Sequence, residues 1–329
     1  MGYMTGICTT FSDIQAAFTD VLTAAGWSRT TDSAGNTVMY KDTLYAMLET
    51  LSDCFRVTGR TGVNEGDAFL PVGISDFYLA TYGTTTPGPI IFPVTFHAFY
   101  YDDIDEVYFV ISYLDMYQFI ALGKSTITLP GTGMWLCATC APHSLPGGSG
   151  IYSWRPCGVN YSLTGDSGTD SYTPAGLFWL RYAYQGSYNG PVHYAFKNAW
   201  LHSNLNTAYP WSLTNDNYSS SSNGLPVGIT YASNHMRSQP QESNLEANLI
   251  PILVYRTHPS IINQYYLVAS LVKSRHININ YLDPESILTK GSEQWMVFPC
   301  FKKTNAATYA TSAGHLDSGN FGWAVKKEA

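Results

Sequence analysis

The sequence predicts a mainly β protein, β-sandwich-like and antiparallel, with an N-terminal α-helix. Three observations support this fold class. Short segments rich in β-branched and aromatic residues recur along the chain and are separated by turn residues. One segment near the start has apolar residues at helical spacing instead. Apolar residues make up 45% of the 329 residues, which is enough for a sizeable core.

The helix is predicted within FSDIQAAFTDVLTAAGW. Ser12 is the expected N-cap, with Gln15 as its capping-box partner, and Gly26 has the position of a left-handed residue after the helix. One face carries the apolar residues Ile14, Phe18, Val21, Leu22 and Ala25.

The strands predicted next are NTVMYKD, LYAMLETL, CFRVTGRTG, FHAFYYDD, EVYFVISYL and YQFIALG. The last two form a predicted β-hairpin with a tight turn at Leu114, Asp115 and Met116, although the favoured Asn-Gly pair is missing. After Leu249 the segments IPILVYRT and QYYLVASLV are predicted strands, and NFGWAVKKEA closes the chain.

Three regions follow from these patterns. Residues 1–125 are predicted to form the helix plus a β domain, and residues 241–329 a C-terminal β region that completes the core. Between them, 126–240 is rich in Gly, Ser, Asn, Pro and Tyr. Because a structureless loop of that length is unusual in a compact domain, we expect a loop-rich β insertion or subdomain there.

The surface is expected to be poor in charge. Charged residues make up 12% of the chain, against roughly 25% in ordinary soluble domains. The net charge is −7 and there is no basic run, which argues against nucleic-acid binding. No stretch approaches the roughly 20 apolar residues of a membrane span. Such a surface suits a subunit of a large assembly or a carbohydrate-facing protein.

The best candidate metal site is a cysteine cluster in WLCATCAPHSLPGG and the segment after it. Cys137, Cys140, His143 and Cys157 supply four ligands of the kind that structural zinc uses, and the first pair has a knuckle-like spacing. The second pair does not, because His143 is too close to Cys140. We favour free thiols packed as small apolar residues, with structural zinc or a disulfide as alternatives, and we expect no other cofactor.

Candidate catalytic groups are weak. Asp102, Asp103, Asp105 and Glu106 are neighbours in YYDDIDEVYF, and a solvated turn is the favoured interpretation over a carboxylate pair or a calcium loop. Ser167 lies in a Gly-Asp-Ser-Gly segment, with His97 and Asp102 in the chain order of a serine-protease triad. Four-residue matches arise by chance, so we do not predict an enzyme.

Aromatic residues in the polar central loops are candidates for recognition. Tyr, Ser, Gly and Asn are common in adaptable recognition loops, and aromatic rings also stack on sugars or fill subunit interfaces. We favour subunit contact over sugar binding. The candidate residues for interface or glycan contact are Trp154, Tyr184, Tyr188, Trp211 and Tyr218.

The C-terminal third resembles a class of virion structural proteins of tailed bacteriophages. The resemblance depends on a G-S-(D/E)-x-W-x-V-F-P segment and a final G-x-A strand. The residues that fit are Gly291, Ser292, Glu293, Trp295, Val297, Phe298, Pro299, Gly322 and Ala324. The predicted hairpin and the helix followed by Gly-Trp also resemble that class. The central region has no counterpart in it.

The resemblance implies a non-enzymatic component of a phage particle, located in the virion and assembled in the bacterial cytoplasm. A tail, baseplate or neck adaptor is the expected position, with copies of itself and other virion proteins as partners. One alternative is a receptor- or glycan-binding tail-tip protein that contacts a host surface glycan through the central loops. Another is a capsid decoration protein.

Overall fold

In this computed structural model, the structure describes residues 1–51, 54–60, 62–64, 76–80, 90–124, 134–138, 140–141, 155–156, 159–163, 170–174, 201–203, 247–257, 265–279, 281–299, 303 and 321–327. Within these ranges lie the helix α1 (Phe11–Ala24) and the strands β1 (Gly2–Cys8), β2 (Ser28–Thr31), β3 (Thr37–Lys41), β4 (Leu44–Thr50), β5 (Cys54–Arg60), β6 (Asp76–Ala80), β7 (Val94–Tyr101), β8 (Glu106–Tyr113), β9 (Met116–Lys124), β10 (Met134–Ala138), β11 (Cys140–Ala141), β12 (Arg155–Pro156), β13 (Val159–Leu163), β14 (Asp170–Pro174), β15 (Leu201–Ser203), β16 (Ile250–Thr257), β17 (Tyr265–Asn278), β18 (Ile287–Lys290), β19 (Glu293–Pro299) and β20 (Phe321–Lys327).

The strands form three larger antiparallel sheets and one hairpin. The central sheet has the order β1-β7-β8-β9-β10, and the N-terminal sheet has the order β12-β11-β6-β5-β4-β3-β2. The C-terminal sheet has the order β15-β16-β17-β20-β19-β18, and β13 pairs with β14. A mainly antiparallel β protein with an N-terminal helix is therefore confirmed. The strands β10, β11 and β12 follow residue 125 and continue the central and N-terminal sheets, and the division into three regions stays a prediction.

Helix α1 has its predicted position but a different N-cap. Thr10 is the N-cap, with extended backbone (φ −146°), and its hydroxyl accepts a hydrogen bond from the Asp13 backbone N–H. Ser12, the expected cap, is exposed in the first turn of the helix, so that prediction is wrong. Asp13 reaches back to the N–H and hydroxyl of Thr9. Both Thr10 and Ser12 have a capping hydroxyl, and only the extended backbone decides between them.

The helix ends in a Schellman motif, as the position of Gly26 predicts. Gly26 has φ +83°, and its N–H donates to the Thr23 carbonyl. The Trp27 N–H donates to the Leu22 carbonyl at 2.9 Å, and both of those side chains are buried. This pattern satisfies two carbonyls that the end of a helix otherwise leaves without partners.

The central sheet is covered on both faces. Tyr108 and Phe109 are neighbours on β8 and therefore point to opposite sides. The Phe109 ring lies 5.2 Å from that of Phe18 on α1, whereas the Tyr108 ring lies 5.9 Å from that of Trp323 on β20. The layers are thus the N-terminal sheet, α1, the central sheet and the C-terminal sheet. Burial on both faces explains why β8 and β9 are nearly continuous apolar runs.

The predicted hairpin of β8 and β9 is confirmed, with a two-residue turn. Tyr113 is opposite Met116, and Leu114 adopts φ +54° between them. Leu114 is 73% exposed, which shows that the turn lies at the surface. Met116, expected in the turn, is the first residue of β9.

The segments that carry the family resemblance form β19 and β20, two neighbouring inner strands of the C-terminal sheet. Both faces of β19 are buried. Phe298 and Met296 pack in the main core. Trp295 and Val297 pack in a smaller core, which also contains Ala324, Ile277 and Ile279. Successive side chains of β19 therefore alternate between the two cores. Within the ranges that the structure describes, no helix is long and apolar enough to cross a membrane.

Candidate functional site

The most distinctive polar site of the described residues lies between the central and C-terminal sheets. It begins with a bulge in β17. The register with β16 jumps from Leu271, opposite Ile252, to Arg275, opposite Pro251. Residues 272–274 therefore leave the ladder with β16. A bulge displaces backbone N–H and C=O groups that a regular ladder would satisfy.

Glu106 supplies the acceptor for this bulge. Its side chain is at the start of β8 and only 3% exposed. The backbone N–H groups of Lys273 and Val272 donate to its carboxylate. The Tyr108 hydroxyl donates to Oε2 of Glu106 at 2.6 Å. The solvated turn predicted for this acidic segment is thus wrong for Glu106, although Asp102 and Asp103 are exposed as expected.

Arg275 supplies the donors for the carbonyls of the same bulge. Its Nη1 donates to the Leu271 carbonyl at 2.5 Å and to the Ser274 carbonyl at 2.8 Å. The guanidinium lies 5.3 Å from the centre of the Trp295 ring. The Glu106 carboxylate therefore binds the N–H groups of the bulge, and the Arg275 guanidinium binds its carbonyls. Both side chains thus stabilise the backbone of β17.

Burial controls the electrostatics of this site. It raises the pKa of Glu106 to about 7, against the hydrogen bonds from Tyr108 and the bulge, which lower it. Burial, followed by the charge of Glu106, raises the pKa of Tyr108 well above its usual value. Tyr108 thus remains a hydrogen-bond donor at neutral pH.

His276 follows the bulge and is fully buried. It lies opposite Ile250 on β16 and Trp323 on β20, on the face that packs against the central sheet. Neither ring nitrogen hydrogen-bonds any of the residues that the structure describes. Burial lowers the pKa of His276 to about 3, so the ring is neutral near pH 7.

A second polar network lies around His97. The Tyr3 hydroxyl lies 2.7 Å from its Nδ1, and Oε2 of Glu285 lies 3.5 Å from its Nε2. The Tyr117 hydroxyl donates to the other oxygen of Glu285 at 3.0 Å. These contacts link β1, β7 and β9 to the turn before β18.

Burial also controls the electrostatics of the network around His97. It raises the pKa of Tyr3 and, together with the charge of Glu285, that of Tyr117. Asp102, which precedes Ser167 in the triad order considered from the sequence, is exposed in the turn after β7 and accepts a hydrogen bond from the ammonium group of Met1 at 2.6 Å. Ser167 lies outside the described residues.

The cysteine cluster is described only in part. Cys137 lies in β10, opposite Ala121 of the central sheet. Cys140 lies in β11, opposite Tyr78 and Pro156 of the N-terminal sheet. His143 and Cys157 lie outside the described residues, so the favoured free thiols and the alternatives of structural zinc or a disulfide all stay predictions. In the ranges that the structure describes, no three metal-ligating side chains come together.

The aromatic candidates Trp154, Tyr184, Tyr188, Trp211 and Tyr218 all lie outside the described residues. Sequence reasoning missed Glu106 and His276 as notable groups. One signal for Glu106 was present, because residues 106 and 108 of a strand share a face and Tyr108 lies within an apolar run. For His276 no local signal existed.

No protein-family model matches this chain, and no curated protein matches it in sequence.

Proposed function

We propose that this chain is a non-enzymatic structural component of a tailed bacteriophage particle. Its position would be a tail, baseplate or neck adaptor that acts through contacts with its own copies and with other virion proteins. The proposal depends on the resemblance of 291–299 and 322–324 to virion proteins and on the low content of charged residues, 12%.

One observation carries the proposal furthest: six of the nine residues that bear the resemblance are buried, and they all lie in β19 or β20. Trp295 and Phe298 are buried on opposite faces of β19. A Cβ added to Gly322 would lie 2.6 Å from the carbonyl oxygen of Phe298. A motif made of buried residues identifies a fold. A shared fold is what the members of a family of structural proteins have in common. Glu106, buried at the sheet interface, and Arg275 likewise bind backbone groups of the bulge.

The test is whether the chain is part of purified particles. Bacteria that produce the particles encoded with this chain would be lysed, and the particles separated on a density gradient. Mass spectrometry should find the chain in the particle band at a fixed ratio to the other virion proteins. A non-structural protein from the same genome serves as the negative control. Intact particles that lack the chain would overturn the proposal.

The alternative is a receptor- or glycan-binding tail-tip protein, and the tyrosine-rich composition of 126–240 favours it. A glycan binder should change its tryptophan fluorescence when host polysaccharide is added. Trp211→Ala should abolish the change, because exposed aromatic rings stack on sugars. A density map of the particle would separate both positions from that of a capsid decoration protein.

A further inference from the structure

Strand β1 is an edge strand with features that natural edges usually avoid. Among the described strands it pairs only with β7, in a register that runs without interruption from Gly2–Tyr100 to Cys8–Val94. Alternate residues of an edge strand direct their N–H and C=O groups away from the sheet. Proteins commonly protect such edges with charges, prolines, bulges or short strands.

The other described edge strands of the three larger sheets have such protection or a neighbour. β2 and β18 have four residues each and carry Arg29 and Lys290. β12 has two residues, Arg155 and Pro156, and β15 has three. β10 contacts β6 of the N-terminal sheet. β1 has seven residues without a charge, a proline or a bulge.

The edge of β1 is also held rigidly. The rings of Tyr100 and Phe96 cover Gly2 and Gly6, since a Cβ added to either glycine would fall within 2.7 Å of those rings. The Thr5 hydroxyl donates to the Phe96 carbonyl at 2.7 Å. Thr5 is exposed, and Ile7 is exposed to 71%. A preformed, uncharged edge needs little ordering before another strand can pair with it.

We propose that β1 is an interface between two copies of this chain, which pair antiparallel about Thr5. In this register Tyr3 lies opposite the partner's Ile7, and Thr5 lies opposite the partner's Thr5. Aromatic–β-branched and threonine–threonine pairs are both favourable across antiparallel strands. Because β1 has no charged side chain, a two-fold axis places no like-charged side chains of the two β1 strands opposite each other. Two central sheets thereby become one continuous sheet.

This inference rests on the proposed assembly role, because it names the surface that makes the self-contact. The first test is sedimentation velocity on the full chain over a range of concentrations. The wild type should form a dimer or a larger species. Ile7→Lys places a charge on the edge and should weaken self-association at least tenfold. Its melting temperature should equal that of the wild type at concentrations where both proteins are monomeric, because dimerisation itself stabilises the folded state.

The matched control is Ile287→Lys, the same change at a partly exposed isoleucine on the edge strand β18. It should associate like the wild type. Equal association of Ile7→Lys and the wild type would overturn the interface.

A cross-link tests the register. Thr5→Cys places a thiol on the two-fold axis, where the Cβ atoms of opposite residues are about 5 Å apart. Mild oxidation should link two chains through the introduced thiols, identified by mass spectrometry of non-reduced peptides. Thr31→Cys, on the exposed edge strand β2, is the control and should remain unlinked at that position.

The outcomes separate the two proposals. A chain that is present in particles but shows no cross-link at position 5 would leave the assembly role standing and overturn the β1 interface. A chain that cross-links there but is absent from particles would support the interface and overturn the virion role. A wild-type chain that is monomeric at every concentration, together with a Thr5→Cys chain that stays unlinked at position 5, overturns the interface directly.

Discussion

The hydroxyl of Tyr108 donates a 2.6 Å hydrogen bond to the carboxylate of Glu106 inside the interface between two sheets. The two residues are on one face of β8, and the same carboxylate accepts N–H groups from β17, more than 160 positions later in the chain. A buried carboxylate is unfavourable unless hydrogen bonds compensate for its lost hydration. Glu106 therefore couples the pH dependence of folding to the contact between the central and C-terminal sheets.

Glu106→Gln should flatten the pH dependence of stability between pH 4.5 and pH 7. The pKa of Glu106 is about 7 in the folded chain, above its ordinary value of 4.5. The folded state therefore binds more protons than the unfolded state in this window, and stability falls as pH rises. The effect is on the order of 3 kcal/mol in the wild type. Urea unfolding at pH 5 and pH 7.5 measures this change in the free energy of unfolding. If the free energy changed equally with pH in the wild type and in Glu106→Gln, the raised pKa would not belong to Glu106.

His276→Leu should flatten the opposite limb. The pKa of His276 is about 3 in the folded chain and 6.5 ordinarily, so the unfolded state binds the extra proton in this window. Wild-type stability therefore falls as pH drops from 6.5 to 3, by at most about 5 kcal/mol. The His276→Leu variant should not show this loss. At pH 7.5 it should be at least as stable as the wild type, because leucine buries no polar nitrogen without a partner.

Thermal unfolding from pH 4 to pH 8 measures the His276 effect. Glu106→Gln is the matched control, since it should retain the loss of stability in acid that His276→Leu lacks. An unchanged acid limb in His276→Leu would show that another group causes the loss.

Gly322→Ala should destabilise the chain by about 2 kcal/mol or more. An added Cβ would lie 2.4 Å from Cγ2 of Ile279 and 2.6 Å from a backbone oxygen, and overpacking against backbone relaxes poorly. The control is Gly291, which has open space but φ +62°. Gly291→Ala should cost about 1 kcal/mol, and Gly291→Asn less, because asparagine tolerates this conformation.

Chemical denaturation of the three glycine variants tests this contrast. If Gly322→Ala and Gly291→Asn had equal unfolding midpoints, the close packing of β20 against β19 and Ile279 would be wrong.

Thr10→Ala should lower the free energy of unfolding by about 1 kcal/mol, because the Asp13 N–H loses its acceptor. Ser12→Ala should change it by less than about 0.5 kcal/mol, because Ser12 is exposed and does not cap. Guanidinium unfolding of the two variants measures the difference. The reverse order of the two effects would place the cap at Ser12.

Strand β1 shows why one element escaped sequence analysis. GYMTGIC contains two glycines among its seven residues, and glycine weakens a strand, so the segment resembles a loop. It is stable as a strand because the rings of Phe96 and Tyr100, on β7, cover its glycines. A window of local sequence contains no information on residues 90 positions away, so this compensation could not be predicted.

The sequence by itself determined the fold class, the helix with its Gly26 terminus and the β8–β9 hairpin. These features depend on short-range periodicity and on backbone preferences that any local segment carries. Only the tertiary structure decided that Glu106 and His276 are buried while Asp102 is exposed. The physical reason is that the loss of water around an ionisable group depends on which distant strand packs over it. The register of β17 with β16 and β20 decides which of its residues face the central sheet.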